Sequence, residues 1–151
     1  MNVKAVQQCE QYDPKDAPEI ILFASPLQCA AASGALEIAE FLIQQGAHID
    51  LVAGFCGSPL QAAALKEHQE IVLLLLKEGA EPNSQGGFHG STLQAVAAAG
   101  SGKIINLLLE NKHPALVDTP GGHYGSALMA AICSGTAIPF GRSWMSKRIL
   151  T

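Results

Sequence analysis

Apolar residues return along this chain at two nested spacings. Over short stretches they fall at i, i+3 and i+4, as in Ile38, Phe41 and Leu42, with Glu37, Glu40, Gln44 and Gln45 on the opposite side. That spacing predicts helices with one packed face and one wet face. Over longer stretches one cluster recurs: Ser25-Pro26-Leu27-Gln28, Ser58-Pro59-Leu60-Gln61, Ser91-Thr92-Leu93-Gln94 and Ser126-Ala127-Leu128-Met129, at intervals of 33, 33 and 35 residues. Fixed self-similarity of this length marks a repeat array and outranks local propensity in deciding the fold.

Each unit predicts two helices. The serine caps the first by accepting a bond from a free backbone N–H, and Pro26 or Pro59 sits at the first helical position, where its missing N–H costs nothing. The first unit gives a helix over about 26 to 33 with Leu27, Ala30 and Ala31 inward, closed by Gly34, then a second helix ended by a left-handed Gly46. Unit two places Leu60, Ala63 and Ala64, then Ile71, Val72, Leu74 and Leu75, and stops at Gly79. Unit three has Leu93, Val96 and Ala97, then Ile104, Ile105, Leu107 and Leu108. It lacks the glycine, so Asn111 is expected to take the left-handed turn. Its two extra residues are expected as a loop bulge near Pro114. Unit four keeps Ser126, Leu128, Ala131 and Ile132 and then loses the pattern, with Pro139 and Arg142 in the register of Ile71 and Leu74.

The expected organisation is therefore an extension or cap over 1–24, repeats at about 25–57, 58–90, 91–125 and an incomplete 126–135, and a divergent tail over 136–151. In the extension, Val3 to Tyr12 has the make-up of a short capping helix, and Ile20-Ile21-Leu22-Phe23 is expected to cover the first repeat, because a terminal unit otherwise exposes its inner face. The tail has two readings: an irregular capping helix over 143–150 with Trp144 and Met145 toward the array, or an array cut short or continued in the wrong frame.

A cap, Pro, Leu, a polar residue and Ala-Ala, then Gly, an Ile/Val-Leu-Leu helix and Gly-Ala, recurring in register over about 25 to 135, resembles the ankyrin repeat. Gly46-Ala47-His48-Ile49-Asp50 and Gly79-Ala80-Glu81-Pro82-Asn83 are similar to that family's Gly-Ala-Asp-Val-Asn ending. The resemblance implies an all-α solenoid of antiparallel helix pairs, with loops projecting as β-hairpin-like fingers and a concave face built from fingers and first helices. It also implies non-catalytic binding of a protein partner. Gln28, Gln61 and Gln94 stand where the family usually has His. An amide also donates and accepts, so the bonds between repeats can persist, whereas Met129 cannot supply them. The recurrent Gly86-Gly87-Phe88-His89-Gly90-Ser91 and Gly121-Gly122-His123-Tyr124-Gly125-Ser126 are similar to a subgroup common in long fungal arrays, often appended to nucleotide-binding signalling receptors. A sensor or regulatory fragment of such a receptor is the alternative reading.

Composition narrows the setting. The chain is 48% hydrophobic and 15% charged with only 5% aromatics, which suits thin helices packed through small side chains. A net charge of -4 argues against a nucleic-acid surface, which needs a clustered positive stripe. The longest strongly apolar run, Ile71 to Leu76, is too short to span a bilayer. Four cysteines without ligand or disulfide spacing fit a reducing, intracellular, cytoplasmic setting, and a monomer is expected. Cys29 and Cys133 are read as small buried hydrophobes of first helices and Cys56 as an exposed finger residue.

Candidate chemistry is sparse. Gly100-Ser101-Gly102-Lys103 lacks the earlier glycine and the hydroxyl residue of a phosphate-binding loop, because Ala97 and Ile104 hold those places. It reads as a turn. Glu67-His68-Gln69-Glu70 lacks the two-histidine spacing of a metalloprotease helix, and His68 reads as a structural turn residue. His89 and His123 stand on neighbouring fingers without a third ligand at matched spacing, so no metal, cofactor or catalytic set is expected. The informative residues are Phe55, Phe88, His89, His123 and Tyr124, large rings at loop tips flanked by glycines, which is the composition of interface anchors. The other reading is that Phe88 and Tyr124 fold back to pack finger on finger. Leu65 and Lys66, with Ala98 and Ala99, are expected to form a groove floor, which completes the candidate partner-binding set.

Overall fold

Every serine expected to cap a first helix does so in the computed structural model, which describes residues 25–135. The expected cap over 1–24 and the tail over 136–151 lie outside the described residues. The first helices are α1 (Pro26–Ser33), α3 (Pro59–Leu65), α5 (Thr92–Ala99) and α7 (Ala127–Cys133). The second helices are α2 (Leu36–Gln44), α4 (Gln69–Lys77) and α6 (Gly102–Glu110). Among the described residues there is no strand or sheet.

First helices stack in one layer, α1 on α3, α3 on α5 and α5 on α7, and α2, α4 and α6 stack in a second layer behind them. The core runs through both layers as a continuous seam of Leu27, Leu60 and Leu93 with Ile71, Leu75, Ile104 and Leu108. Full burial of one such side chain is worth about 1.5–3 kcal/mol. Alanines fill the space between first helices; Ala31, Ala63 and Ala97 have no exposed surface. The chain reverses between paired helices at Gly34 and Gly100, both left-handed, and at Glu67, which is left-handed at φ 63 without being glycine. His68 follows, its Nε2 2.9 Å from the Ala32 carbonyl, in the structural role expected of it.

The extra residues of the third interval fall in the loop after α6. Ala47 and Ala80 donate their N–H groups to Leu42 and Leu75, five residues back, whereas Ala115 donates to Leu108, seven back. Asn111 corrects one expectation: it is extended, at φ -65 and ψ 161, because the longer loop does not need a left-handed stop.

Burial at the two ends corrects several more. Ile38 is 56% and Phe41 59% exposed, although Ile71 and Ile104 in the register of Ile38 are each 1%. α4 and α6 pack on the second helix of the preceding unit, and α2 has no such neighbour among the described residues. Ile132 is exposed at the other end for a related reason, since α7 has no described second helix. The cysteines are reversed from expectation. Cys29 is exposed although Ala62 and Ala95 in its register are buried beneath a preceding first helix, and Cys133 is exposed in the outward register of Ala98. Cys56 is buried because the next finger lies against it.

Candidate binding groove

The groove begins with the glutamines. In each of the first three units, the Ser hydroxyl accepts from the Gln N–H while the Gln Oε1 accepts from the Ser N–H, at 2.8 Å in the pair Ser58–Gln61. The remaining amide protons point forward into the loop that ends the unit. Gln28 Nε2 donates to the carbonyls of Leu51, Ala53 and Gly57, Gln61 Nε2 to Ser84 and Gly90, and Gln94 Nε2 to Thr119 and Gly121. One buried side chain thus fixes both the helix start and the following finger. The amide donates and accepts as expected of a replacement for histidine, but its bonds run within each unit, from first helix to the finger that ends it, and not between repeats.

Each finger closes with one antiparallel bridge, Ala53 with Gly57, Gly86 with Gly90 and Gly121 with Gly125. The fingers are also joined to one another: Phe88 N–H donates to the Phe55 carbonyl and His123 N–H to the Phe88 carbonyl, each at 2.8 Å. Lower down, Asp50 Oδ1 accepts from Glu81 N–H and Asn83 Oδ1 from Leu116 N–H. The last residues of the two Gly-Ala endings therefore tie successive units together.

This spacing stacks the rings. Phe55 lies on Phe88 at 4.9 Å and Phe88 on His123 at 4.4 Å between centroids, in near-parallel pairs. A second column runs beside the first, with His89 and Tyr124 stacked at 6.1 Å. Edge contacts of Phe88 to His89 and of His123 to Tyr124 join the columns. Ring pairs of this geometry are worth about 0.5–1.5 kcal/mol beyond their buried area. Of the two readings of the rings, finger-on-finger packing is what the geometry contains.

The second column forms one wall of a groove of about 510 Å³ lined by Leu65, Lys66, Glu67, His89, Ala98, Ala99, Tyr124 and Ser134. Three consecutive units contribute. Leu65, Lys66, His89 and Tyr124 come together here with the two alanines, whereas Phe55, Phe88 and His123 lie in the other column. Sequence reasoning missed Glu67 and Ser134. Register could have found both, since Glu67 stands where Gly34 and Gly100 stand, and Ser134 where Ala99 stands.

His89 is the group most altered by this setting. Its Nδ1 is buried and has no hydrogen-bond partner among the described residues. Burial, with a smaller contribution from the neighbouring His123 charge, lowers its pKa to about 4 from the ordinary 6.5. The folded state therefore prefers the neutral ring, and the unfolded chain binds the proton more readily between those values. This contribution to stability is complete above about pH 6.5 and is lost as the pH falls to about 4. Allowing for the ring's partial exposure, the loss is roughly 1–2 kcal/mol. Urea midpoints at pH 7.5 and 4.5 check it: His89→Tyr, with the residue that the finger of unit three carries in this register, should shrink the difference, and an unchanged difference refutes the assignment to His89. Among the described residues, no cluster of three or more His, Cys, Asp or Glu side chains is placed to hold a metal ion.

Stacked helix pairs with linked fingers and a groove along the first helices define an all-α repeat solenoid. No helix among the described residues is long and apolar enough to cross a membrane. A family model described as ankyrin repeats (3 copies) matches residues 4–86, and the chain belongs to the ankyrin-repeat family. Ankyrin repeats are generally protein–protein interaction modules and are typically non-catalytic. A search among curated proteins returned no match.

Proposed function

We propose that this chain is a non-catalytic module that holds a protein partner in the groove between fingers and first helices. Leu65, Lys66, His89 and Tyr124 make the contacts, and Phe55, Phe88 and His123 hold the wall in place. The observation that carries this reading is the convergence of side chains from three units on one concave surface. That surface exists before any partner arrives, so association loses little ordering entropy. Glu67 adds support: a left-handed non-glycine residue costs roughly 1–2 kcal/mol, and such strain concentrates where a site needs it.

The volume lies within the roughly 300–1,000 Å³ range of ligand sites, which suits one or two projecting side chains of a partner better than a whole helix. The alanine floor admits them closely, and Lys66 and Glu67 offer one charge of each sign. Ala98→Arg fills the floor and Tyr124→Ala removes the wall. Each should weaken partner capture by tenfold or more, about 1.4 kcal/mol, with helix content unchanged by circular dichroism. A specific partner retained equally by the wild type and both variants would place the binding face elsewhere.

A further inference from the structure

We infer that Glu67 is the residue by which the groove selects its occupant, and that the group it selects is the uncharged carboxamide of a partner's Asn or Gln side chain. This rests on the groove reading above and names the chemistry it takes. The first observation is a departure from register. Gly34, Gly100 and Gly135 hold the turn after the other first helices, left-handed at φ 77, 86 and 63, whereas unit two holds it with Glu67 at φ 63. At Gly34 a side chain has no room: an added Cβ would fall 2.7 Å from the His68 ring, whose Nε2 lies 2.9 Å from the Ala32 carbonyl. In the next unit Ser101 stands in the register of His68, and this smaller residue leaves position 67 open to one with a Cβ.

The second observation is that the fold gains nothing from the glutamate. Left-handed backbone is costly for a residue with a Cβ, and a carboxylate just past the C-terminus of α3 meets the negative end of that helix. Among the described residues the Glu67 carboxylate accepts no hydrogen bond and pairs with no cation, its neighbour Lys66 included. Two local costs without a structural return, in a residue that lines the groove, mark a position kept for what binds there. The third observation is charge balance. Lys66 and Glu67 line the same groove without pairing with each other, so a cationic occupant is opposed by the first and an anionic one by the second. A carboxamide suits both, since its N–H donates to the carboxylate while its oxygen accepts from the lysine Nζ.

A phage-displayed library of random peptides, panned on the folded chain and depleted on Ala98→Arg, supplies the probe. The recovered peptides should share an Asn or Gln, and replacing it by Asp or Lys should weaken binding about tenfold or more. Glu67→Gly should weaken the same peptides as much while raising the folding equilibrium constant roughly two- to fivefold, because the left-handed strain relieved exceeds the chain entropy that glycine adds. Glu67→Met, left-handed but without an acceptor, should lose the peptides with a smaller gain in stability. Peptides that share a charged residue instead overturn the inference, as do peptides that Glu67→Gly binds as tightly as the wild type and a Glu67→Gly chain no more stable than the wild type. All three leave the groove reading in place. Panning that yields only peptides retained by Ala98→Arg defeats both readings, so the two failures are told apart.

Discussion

Gln61→Ala is expected to lower the unfolding free energy by about 3–4 kcal/mol, an effect usually associated with a large core side chain. The amide is 2% exposed and serves three backbone groups. It accepts from Ser58 N–H at 2.8 Å and donates to the carbonyls of Gly90 at 2.8 Å and Ser84 at 3.2 Å. Truncation leaves these groups without their partner inside the array, and an unsatisfied buried group costs about 1–3 kcal/mol. Gln61→Glu should be at least as damaging, because a carboxylate can accept from Ser58 but cannot donate to Gly90, and its charge would be buried. Gln61→His, with both a donor and an acceptor, should recover a large part of the loss. Urea titrations with an unchanged slope would measure the series. A Gln61→Ala loss below 1 kcal/mol would mean that water replaces the amide and that the finger does not depend on it.

The same glutamine explains why so much of the fold was legible beforehand. Ser-Pro-Leu-Gln, Gly34 and the Ile/Leu spacing each act within one turn of helix or one loop, so their physical consequences are local and survive in a single sequence. Burial at the ends is not local. Cys29 and Ala62 occupy the same register, yet whether that register is buried depends on a neighbouring unit that only one of them has. The fingers divide in the same way. Their ring positions follow from the repeat interval, and so does the meeting of His89 and Tyr124 above Leu65, Lys66 and the alanines. Whether Phe55, Phe88 and His123 face outward or each other depends on the separation between fingers. That separation is set by backbone bonds from Phe88 to Phe55 and from His123 to Phe88, which no side-chain identity announces. Asn111 belongs with this group, since a two-residue change in loop length removed the need for the conformation that its chemistry allows.

Gly122→Ala should separate the last two fingers and dismantle the groove wall while sparing the helices. Gly122 is left-handed at φ 65, and an added Cβ would fall 2.0 Å from the His89 carbonyl oxygen and 2.7 Å from Gly90 N. Both are backbone atoms, so no side chain can move aside to make room. The fingers must part, which breaks the His123 N–H bond to Phe88 and opens the 4.4 Å stack of their rings. Left-handed strain of roughly 1–2 kcal/mol and the lost bond of about 1 kcal/mol together predict a loss near 2–3 kcal/mol. Gly125→Ala supplies the control, because Gly125 is also left-handed, at φ 77, but an added Cβ meets nothing within 4 Å. The excess loss of Gly122→Ala over Gly125→Ala therefore isolates the contact between fingers. The same variant should release His89 from burial and raise its pKa from about 4 toward 6.5, a change that an NMR titration of its ring protons would follow. If His89 still titrates near 4 in Gly122→Ala, the fingers have stayed together and the packed rings are not held by this glycine. If it moves, stability, ring stacking and the groove wall share one cause: the close approach of two backbones that only a residue without a Cβ permits.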